Sequence, residues 1–283
     1  MTATRFAPSP TGPLHLGHLY SAALARGWAR RQGAAFRLRI EDIDPGRARA
    51  EHVAAILDDL DWAGIDWDGE PIVQSMRLPA HCAALDALRE RGLLYPCFCT
   101  RADIAASASA PHGPGGALYP GTCRRLSPAE CTGRLAREPH AWRLDMSEAA
   151  ARAGPLRWFD EEAGWIEADP CAHGDVILAR KDAPTSYQLA VTLDDAADGI
   201  THVIRGRDLF HATDVQRLLR ALLNLAEPTY RHHRLIAGPD GRRLAKRDGA
   251  SLAELRARGV DPAALVADLE KDRLPSGFFF ADT

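Results

Sequence analysis

Two histidines three positions apart, His15 and His18, follow the stretch Arg5-Phe-Ala-Pro-Ser-Pro-Thr-Gly12-Pro. Each proline pushes its predecessor toward extended geometry, and Gly12-Pro13 turns the chain. From Leu14 onward apolar residues recur at helical spacing through Leu16, Leu19, Ala22, Ala23 and Trp28. The pattern predicts a strand, a tight turn and a helix whose start carries His15, Gly17 and His18. Free N–H groups and a partial positive charge at a helix start suit a phosphate. Taken without the rest, the pair also fits an ordinary strand-to-helix junction with capping or solvent-facing histidines. A second chemical group is Cys97-Phe-Cys99, followed by Cys123 in a Gly-rich stretch. Three thiolates at this spacing suit tetrahedral zinc and leave a fourth ligand open. By chemistry alone His112 is the first candidate and Cys131 the second.

These groups need elements to position them. Phe36-Arg-Leu-Arg-Ile40 alternates apolar and polar residues and runs into Glu41-Asp-Ile-Asp44, which reads as a second strand ending in a carboxylate-rich loop. Helical patterns follow near 47–62 and 78–92. Strand–helix–strand order argues for an α/β fold with a doubly wound parallel sheet, in which ligands sit at the carboxyl ends of strands. His15, His18 and Glu41 would converge there. The expected division is a first half of a Rossmann-like catalytic domain (1–95), an insertion with its own small structure (96–175), a second half (176–240), and a loop with a short helical segment (241–283). Within the insertion, Trp142-Arg-Leu, Leu156-Arg-Trp-Phe and Asp175-Val-Ile-Leu read as short strands. A helix near 212–225 belongs to the second half.

Composition narrows the function classes. With 46% hydrophobic and 26% charged residues, the chain is an ordinary globular protein. It shows neither a membrane-length apolar stretch nor the basic and apolar regions of a signal peptide. Six unevenly spaced cysteines suit a cytoplasmic protein whose thiols are free or on metal. A net charge of −3 gives no global pull toward nucleic acid, so a polyanion partner would need a local basic face. A monomer with no membrane partner is expected.

The opening string resembles the HIGH signature of class I aminoacyl-tRNA synthetases, and Arg5-Phe-Ala-Pro-Ser-Pro-Thr-Gly is similar to their glutamyl and glutaminyl branch. Pro184-Thr-Ser-Tyr187-Gln-Leu-Ala, Asp194-Asp195 and Gly199-Ile-Thr-His-Val-Ile-Arg205-Gly-Arg-Asp208 resemble the second half of that active site. The resemblance implies that Arg5, Ser9, Glu41, Tyr187 and Arg205 bind L-glutamate. The assignment fits the chemistry, because guanidinium forks suit a carboxylate and an anion suits an ammonium. It also implies that His15, Gly17 and His18 meet ATP, which brings Mg²⁺ with it. Zinc-bearing members of the branch are similar in showing Cys-x-Cys and then a Tyr ahead of a third Cys. That similarity selects Tyr119 beside Cys97, Cys99 and Cys123 for one structural Zn²⁺.

Gly241-Arg-Arg243-Leu-Ala245-Lys246-Arg247-Asp-Gly resembles the KMSKS loop, with Lys246 at the second lysine, Arg243 for the first and Ala245 in place of the serine. The resemblance gives His15, His18 and Lys246 the work of stabilising the reacting phosphate, with one hydroxyl donor lost at Ala245. Only 35 residues follow Asp248, too few here for an anticodon-binding domain. That layout is similar to the glutamyl-Q tRNA(Asp) synthetase family, whose members activate glutamate without tRNA and esterify it to queuosine in the tRNA(Asp) anticodon. The alternatives are a minimal glutamyl-tRNA synthetase charging a tRNA 3′ end, a nucleotidyltransferase of the same superfamily, and a non-catalytic RNA-binding paralogue.

Overall fold

The structure, a computed structural model, describes residues 2–106, 112–114, 116–238, 240–242, 244 and 251–281. The first half runs β1 (Ala3–Phe6), α1 (Leu16–Gln32), β2 (Ala35–Ile40), α2 (Ala50–Trp62), β3 (Ile72–Val73) and α3 (Leu78–Glu90). β1, β2 and β3 pair in parallel in that order. All four residues of β1 are buried, as befits a parallel strand covered on both faces. α1 lays Leu16, Leu19, Ala22 and Ala23, each 0% exposed, against the strands. It stops at Gly33, whose φ of 61° is the left-handed conformation a residue with a Cβ resists, with Arg30 and Arg31 in the last turn beside its free carbonyls.

The middle of the chain carries β4 (Leu94–Cys97), α4 (Arg101–Ala106), β5 (His112–Gly113), β6 (Gly116–Ala117), α5 (Pro128–Leu135), β7 (Ala141–Leu144), α6 (Met146–Ala153), β8 (Arg157–Asp160), β9 (Gly164–Glu167) and β10 (Ile177–Ala179). β7 lies antiparallel between β4 and β10. The second half adds α7 (Tyr187–Ala197), β11 (His202–Gly206), α8 (Ala212–Leu222), β12 (Thr229–His233) and β13 (Ile236–Ala237). The chain then forms α9 (Leu252–Ala257), α10 (Pro262–Leu269) and β14 (Phe279–Phe280). Leu94, Leu144 and Leu178 of the antiparallel sheet share one apolar cluster with Val215, Leu218 and Leu219 of α8. β14 returns to pair with β13.

Two strands within the expected 96–175 insertion, β8 and β9, pair in one sheet with strands of the second half. β8 pairs in parallel with β12, which pairs in parallel with β11, and β9 closes the edge antiparallel to β8. The physical reason is Trp158, 1% exposed, which packs with Ala3, Val203 and Tyr230. A large indole there requires its strand to sit on the sheet.

The two halves meet where Thr201, just ahead of β11, reaches β1. Its N–H donates to the Ala3 carbonyl at 3.0 Å and its hydroxyl accepts the Ala3 N–H at 3.0 Å. A side chain thus supplies the acceptor a strand neighbour would offer. Thr201→Val should leave the buried Ala3 N–H unpaired and lower unfolding stability by about 1–3 kcal/mol in urea, while Thr201→Ser should retain most of it. Equal stability of the Val variant and the parent would disprove the role of this hydroxyl.

Candidate active site

The carboxyl ends of β1, β2, β11 and β12 open onto one cavity of about 470 Å³. Arg5, Ser9, His15, Gly17, His18, Glu41, Tyr187 and Arg205, all expected from the sequence, line it. Lys246, with Arg243 and Ala245, lies outside the described residues. The flanks of that stretch are placed, however. Leu244 lines the cavity, and Ser251 forms a bridge with His15 while the Leu252 N–H donates to the Leu14 carbonyl at 3.1 Å.

His15 is the N-cap of α1, an unusual capping residue. Its Nδ1 accepts the Gly17 N–H at 3.1 Å, and His18 Nδ1 accepts the His15 N–H at 3.1 Å. A Cβ at residue 17 would come within 3.0 Å of the His15 ring, so glycine lets the ring fold back over the helix start. Because each Nδ1 is an acceptor, each neutral ring carries its proton on Nε2. The two rings lie 3.8 Å apart, and both are in the cavity wall at a helix N-terminus. That assembly suits a polyanion.

Opposite charges are built in a second place. Arg5, 5% exposed, donates Nε–H to Asp195 Oδ1 at 2.9 Å. Arg39, 0% exposed, donates to the same Oδ1 at 2.7 Å and to Glu41 Oε1 at 3.1 Å. Burial disfavours the Asp195 anion, but the Arg5 and Arg39 guanidinium groups hold its pKa far below the usual carboxylate range. Burial pushes the Glu41 carboxyl up, against the pull of Arg39. Burial likewise raises Tyr187, the first residue of α7.

Arg205 is locked more fully. It donates to His232 Nε2 at 3.0 Å, Gln216 Oε1 at 2.9 Å, Thr213 Oγ1 at 2.8 Å and the Leu209 carbonyl at 3.2 Å. His232 in turn gives its Nδ1–H to Asp160 at 2.8 Å. Sequence reasoning missed Arg39, His232, Gln216 and Thr213. For Arg39 a signal existed: an arginine two positions before Glu41, the carboxylate that follows β2. On another wall, His233 donates Nδ1–H to the Arg234 carbonyl at 2.8 Å and accepts the Ser21 hydroxyl at Nε2, 2.7 Å away.

Burial moves the His232 pKa down from 6.5 to about 4, with Asp160 opposing. Between these values the unfolded chain binds a proton that the folded one refuses, so stability falls as pH drops through this window. His232 should contribute a loss of about 2 kcal/mol between pH 7 and pH 5. His232→Gln, which still offers Arg205 an acceptor, should flatten that part of the dependence in urea unfolding at the two pH values. An unchanged slope would disprove the assignment.

The thiols converge at the end of β4. The Sγ atoms of Cys97, Cys99 and Cys123 lie within 4.8 Å of one another. The Tyr119 hydroxyl is 3.5 Å from Cys99 Sγ and accepts the Cys123 N–H at 2.8 Å. The Phe98 N–H donates to Cys123 Sγ at 3.4 Å. Burial disfavours the Cys123 thiolate, yet hydrogen bonds to its sulfur from the Tyr119 side chain, the Phe98 N–H and Cys99 bring its pKa below the ordinary thiol value. The set fits a soft divalent ion: three thiols converge with one phenol beside them. Cys131 sits on α5, outside this group, and the His112 side chain lies outside the described residues. None of the described cysteines forms a disulfide. No described helix is long and apolar enough to cross a membrane.

Known proteins resemble this chain in sequence and fold. Residues 1–273 match the family described as tRNA synthetases class I (E and Q), catalytic domain. A Rhodobacter capsulatus protein named glutamyl-Q tRNA(Asp) synthetase is 50% identical over 273 residues, covering 92% of this chain and 96% of that one. One of the same name from Symbiobacterium thermophilum is 45% identical, covering 95% and 85%. The crystal structure of a glutamate tRNA ligase from Elizabethkingia meningosepticum in complex with its amino acid superposes with a TM-score of 0.74 at 28% identity. The match covers 88% of this chain, which spans about half of that ligase (52%). With a match reaching from β1 past α10, the chain belongs to the class I tRNA synthetase (E and Q) catalytic-domain family, a family of ligases.

Proposed function

We propose that this protein activates L-glutamate with ATP, without tRNA, and passes it to the queuosine of the tRNA(Asp) anticodon, working in the cytoplasm. The observation that carries the reading is the cavity itself. It sets two guanidinium-bearing residues, Arg5 and Arg205, and one carboxylate, Glu41, beside a helix N-terminus bearing His15 and His18. A dicarboxylic amino acid needs those cations and that anion, and ATP phosphates need that helix start. The relatives named glutamyl-Q tRNA(Asp) synthetase supply the acceptor in this reading.

In the first step the glutamate α-carboxylate oxygen attacks the α-phosphorus of ATP, and pyrophosphate leaves with the electrons of the broken P–O bond. Arg5 and Arg205 hold the side-chain carboxylate, Glu41 takes the ammonium, and Ser9 and Tyr187 add hydrogen bonds. The Nε2–H groups of His15 and His18 and the Lys246 cation meet charge developing on the phosphate, so catalysis is positioning plus electrostatic stabilisation. Mg²⁺ arrives with ATP. In the second step a queuosine hydroxyl attacks the mixed-anhydride carbonyl and AMP leaves. Zinc held by Cys97, Cys99, Tyr119 and Cys123 would tie the end of β4 to the 119–123 turn, a structural cross-link.

Protein purified without chelator should contain about one zinc per chain. Cys123→Ser should speed proteolysis within 96–125 more than in the sheet. Metal content near zero would refute the zinc assignment.

Labelled glutamate with ATP should support pyrophosphate exchange in the absence of tRNA. With tRNA added, nuclease mapping should find the label in an anticodon fragment of queuosine-containing tRNA(Asp). The solved glutamate tRNA ligase similar to this chain makes 3′-end charging the competing outcome. Label on the 3′ adenosine of tRNA(Glu), with none in the anticodon fragment, would defeat the proposal.

A further inference from the structure

We infer that Asp195 is a positioning residue for the amino-acid substrate. Through Arg5 on one side and Arg39 on the other, it fixes the spacing between the cation that meets the substrate carboxylate and the anion that meets its ammonium. The inference rests on the glutamate reading of Arg5 and Glu41 given above.

Asp195 does not line the cavity; it is 3% exposed and lies beneath it on α7. A single oxygen, Oδ1, receives Arg5 from β1 at 2.9 Å and Arg39 from β2 at 2.7 Å. Arg39 then reaches Glu41 Oε1 at 3.1 Å. The same helix brings Tyr187 to the cavity wall at its first residue. One carboxylate thereby ties together α7, β1 and β2, the three elements that carry the cation, the anion and the phenol.

The geometry of Arg5 gives this tie a consequence. Its Nε is spent on Asp195, so the pair of terminal nitrogens is the edge left for a carboxylate, the bidentate edge of a guanidinium. Arg205 has most of its donors occupied by protein acceptors. Arg5 therefore depends on its single clamp in a way Arg205 does not. Without the Asp195 charge, two buried guanidinium groups would face each other across the missing anion, and Arg5 would turn away. Glu41 would also be left with an Arg39 drawn elsewhere. Asp198 provides a contrast: it also contacts Arg39, at 3.4 Å, but pairs on its other side with Arg77 at 2.5 Å rather than with Arg5.

The test is glutamate-dependent ATP–pyrophosphate exchange on the full chain, run with and without bulk tRNA. Wild-type protein showing no exchange in either condition would remove the underlying glutamate reading, a failure separate from this one. Given wild-type exchange, Asp195→Asn should raise KM for glutamate by about 100-fold, the scale of an ångström misplacement, with a smaller fall in kcat and an unchanged KM for ATP. It should also narrow the preference for glutamate over glutamine. Asp198→Asn should keep KM for glutamate close to wild type. Arg39→Lys, which keeps the charge but loses the second arm toward Glu41, should raise KM for glutamate as Asp195→Asn does, and it decides the matter if the Asn variant does not fold. A folded Asp195→Asn with wild-type KM, an equal KM defect in Asp198→Asn, or an Arg39→Lys with unchanged KM would overturn the inference. Failure of both Asp195→Asn and Arg39→Lys to fold would make the network purely structural and overturn it as well.

Discussion

A guanidinium with no surface in water obliges everything around it to be anionic or to accept hydrogen bonds, and Arg39 is such a group. Stripping an ion of its hydration is costly unless well-placed counter-charges replace the water. Here Asp195 and Glu41 reach it, at 2.7 Å and 3.1 Å. The arrangement holds only if β1, β2 and α7 sit at fixed distances from one another. The cavity floor is thus set by the pairing of buried charges, and the apolar core around α1 and β2 supplies the walls that keep water out of it. Charges so enclosed interact strongly and reorganise little, which is what substrate positioning asks for.

The side of the cavity proposed to meet the ATP phosphates works on another principle. There the protein concentrates donors, not formal charges: backbone N–H groups at the α1 start and two imidazole edges. The capping arrangement joins structure to chemistry, since the hydrogen bonds that end the helix also direct each ring proton to Nε2. Neutral donors suit a group whose charge shifts during reaction, because they stabilise the developing negative charge without trapping the product by full ion pairing. Leu244 lines this cavity, and Ser251 bridges His15 at the start of α1.

Much of this was legible in the sequence because it is local. His15, Gly17 and His18 act within one helical turn, Glu41 follows its strand directly, and Cys97, Cys99 and Cys123 belong to one short excursion of chain. Each rule needed only a few adjacent residues. The pairing of Arg39 with Asp195 was not legible, since the two are 156 positions apart. The alternation in Phe36-Arg-Leu-Arg-Ile40 marks a strand without telling which arginine is buried. In the fold Arg39 is buried outright and Arg37 is half-buried, because a parallel strand is covered on both sides and polarity no longer reports exposure. The same non-locality hid the place of β8. Its pairing with β12 depends on Trp158 finding Ala3, Val203 and Tyr230, none of them near it in the chain.

The two arginines of the cavity differ in how their positions are maintained, and that difference bears on how such a site tolerates change. Arg205 is fixed by a redundant set of neutral acceptors on η-nitrogens and Nε, backed by the His232–Asp160 pair. Losing one acceptor leaves the others in place. Arg5 is fixed by one charged acceptor shared with a second guanidinium. Sharing makes the pair cooperative: the carboxylate is held ionised by both cations, and each cation is held in place by the same oxygen. Redundant neutral bonds give a robust anchor, and a shared ionic bond gives a coupled one. Under the proposed function the site measures the distance between a carboxylate and an ammonium on one small molecule, and that task needs the coupled kind, because its cation and anion have to move together or not at all.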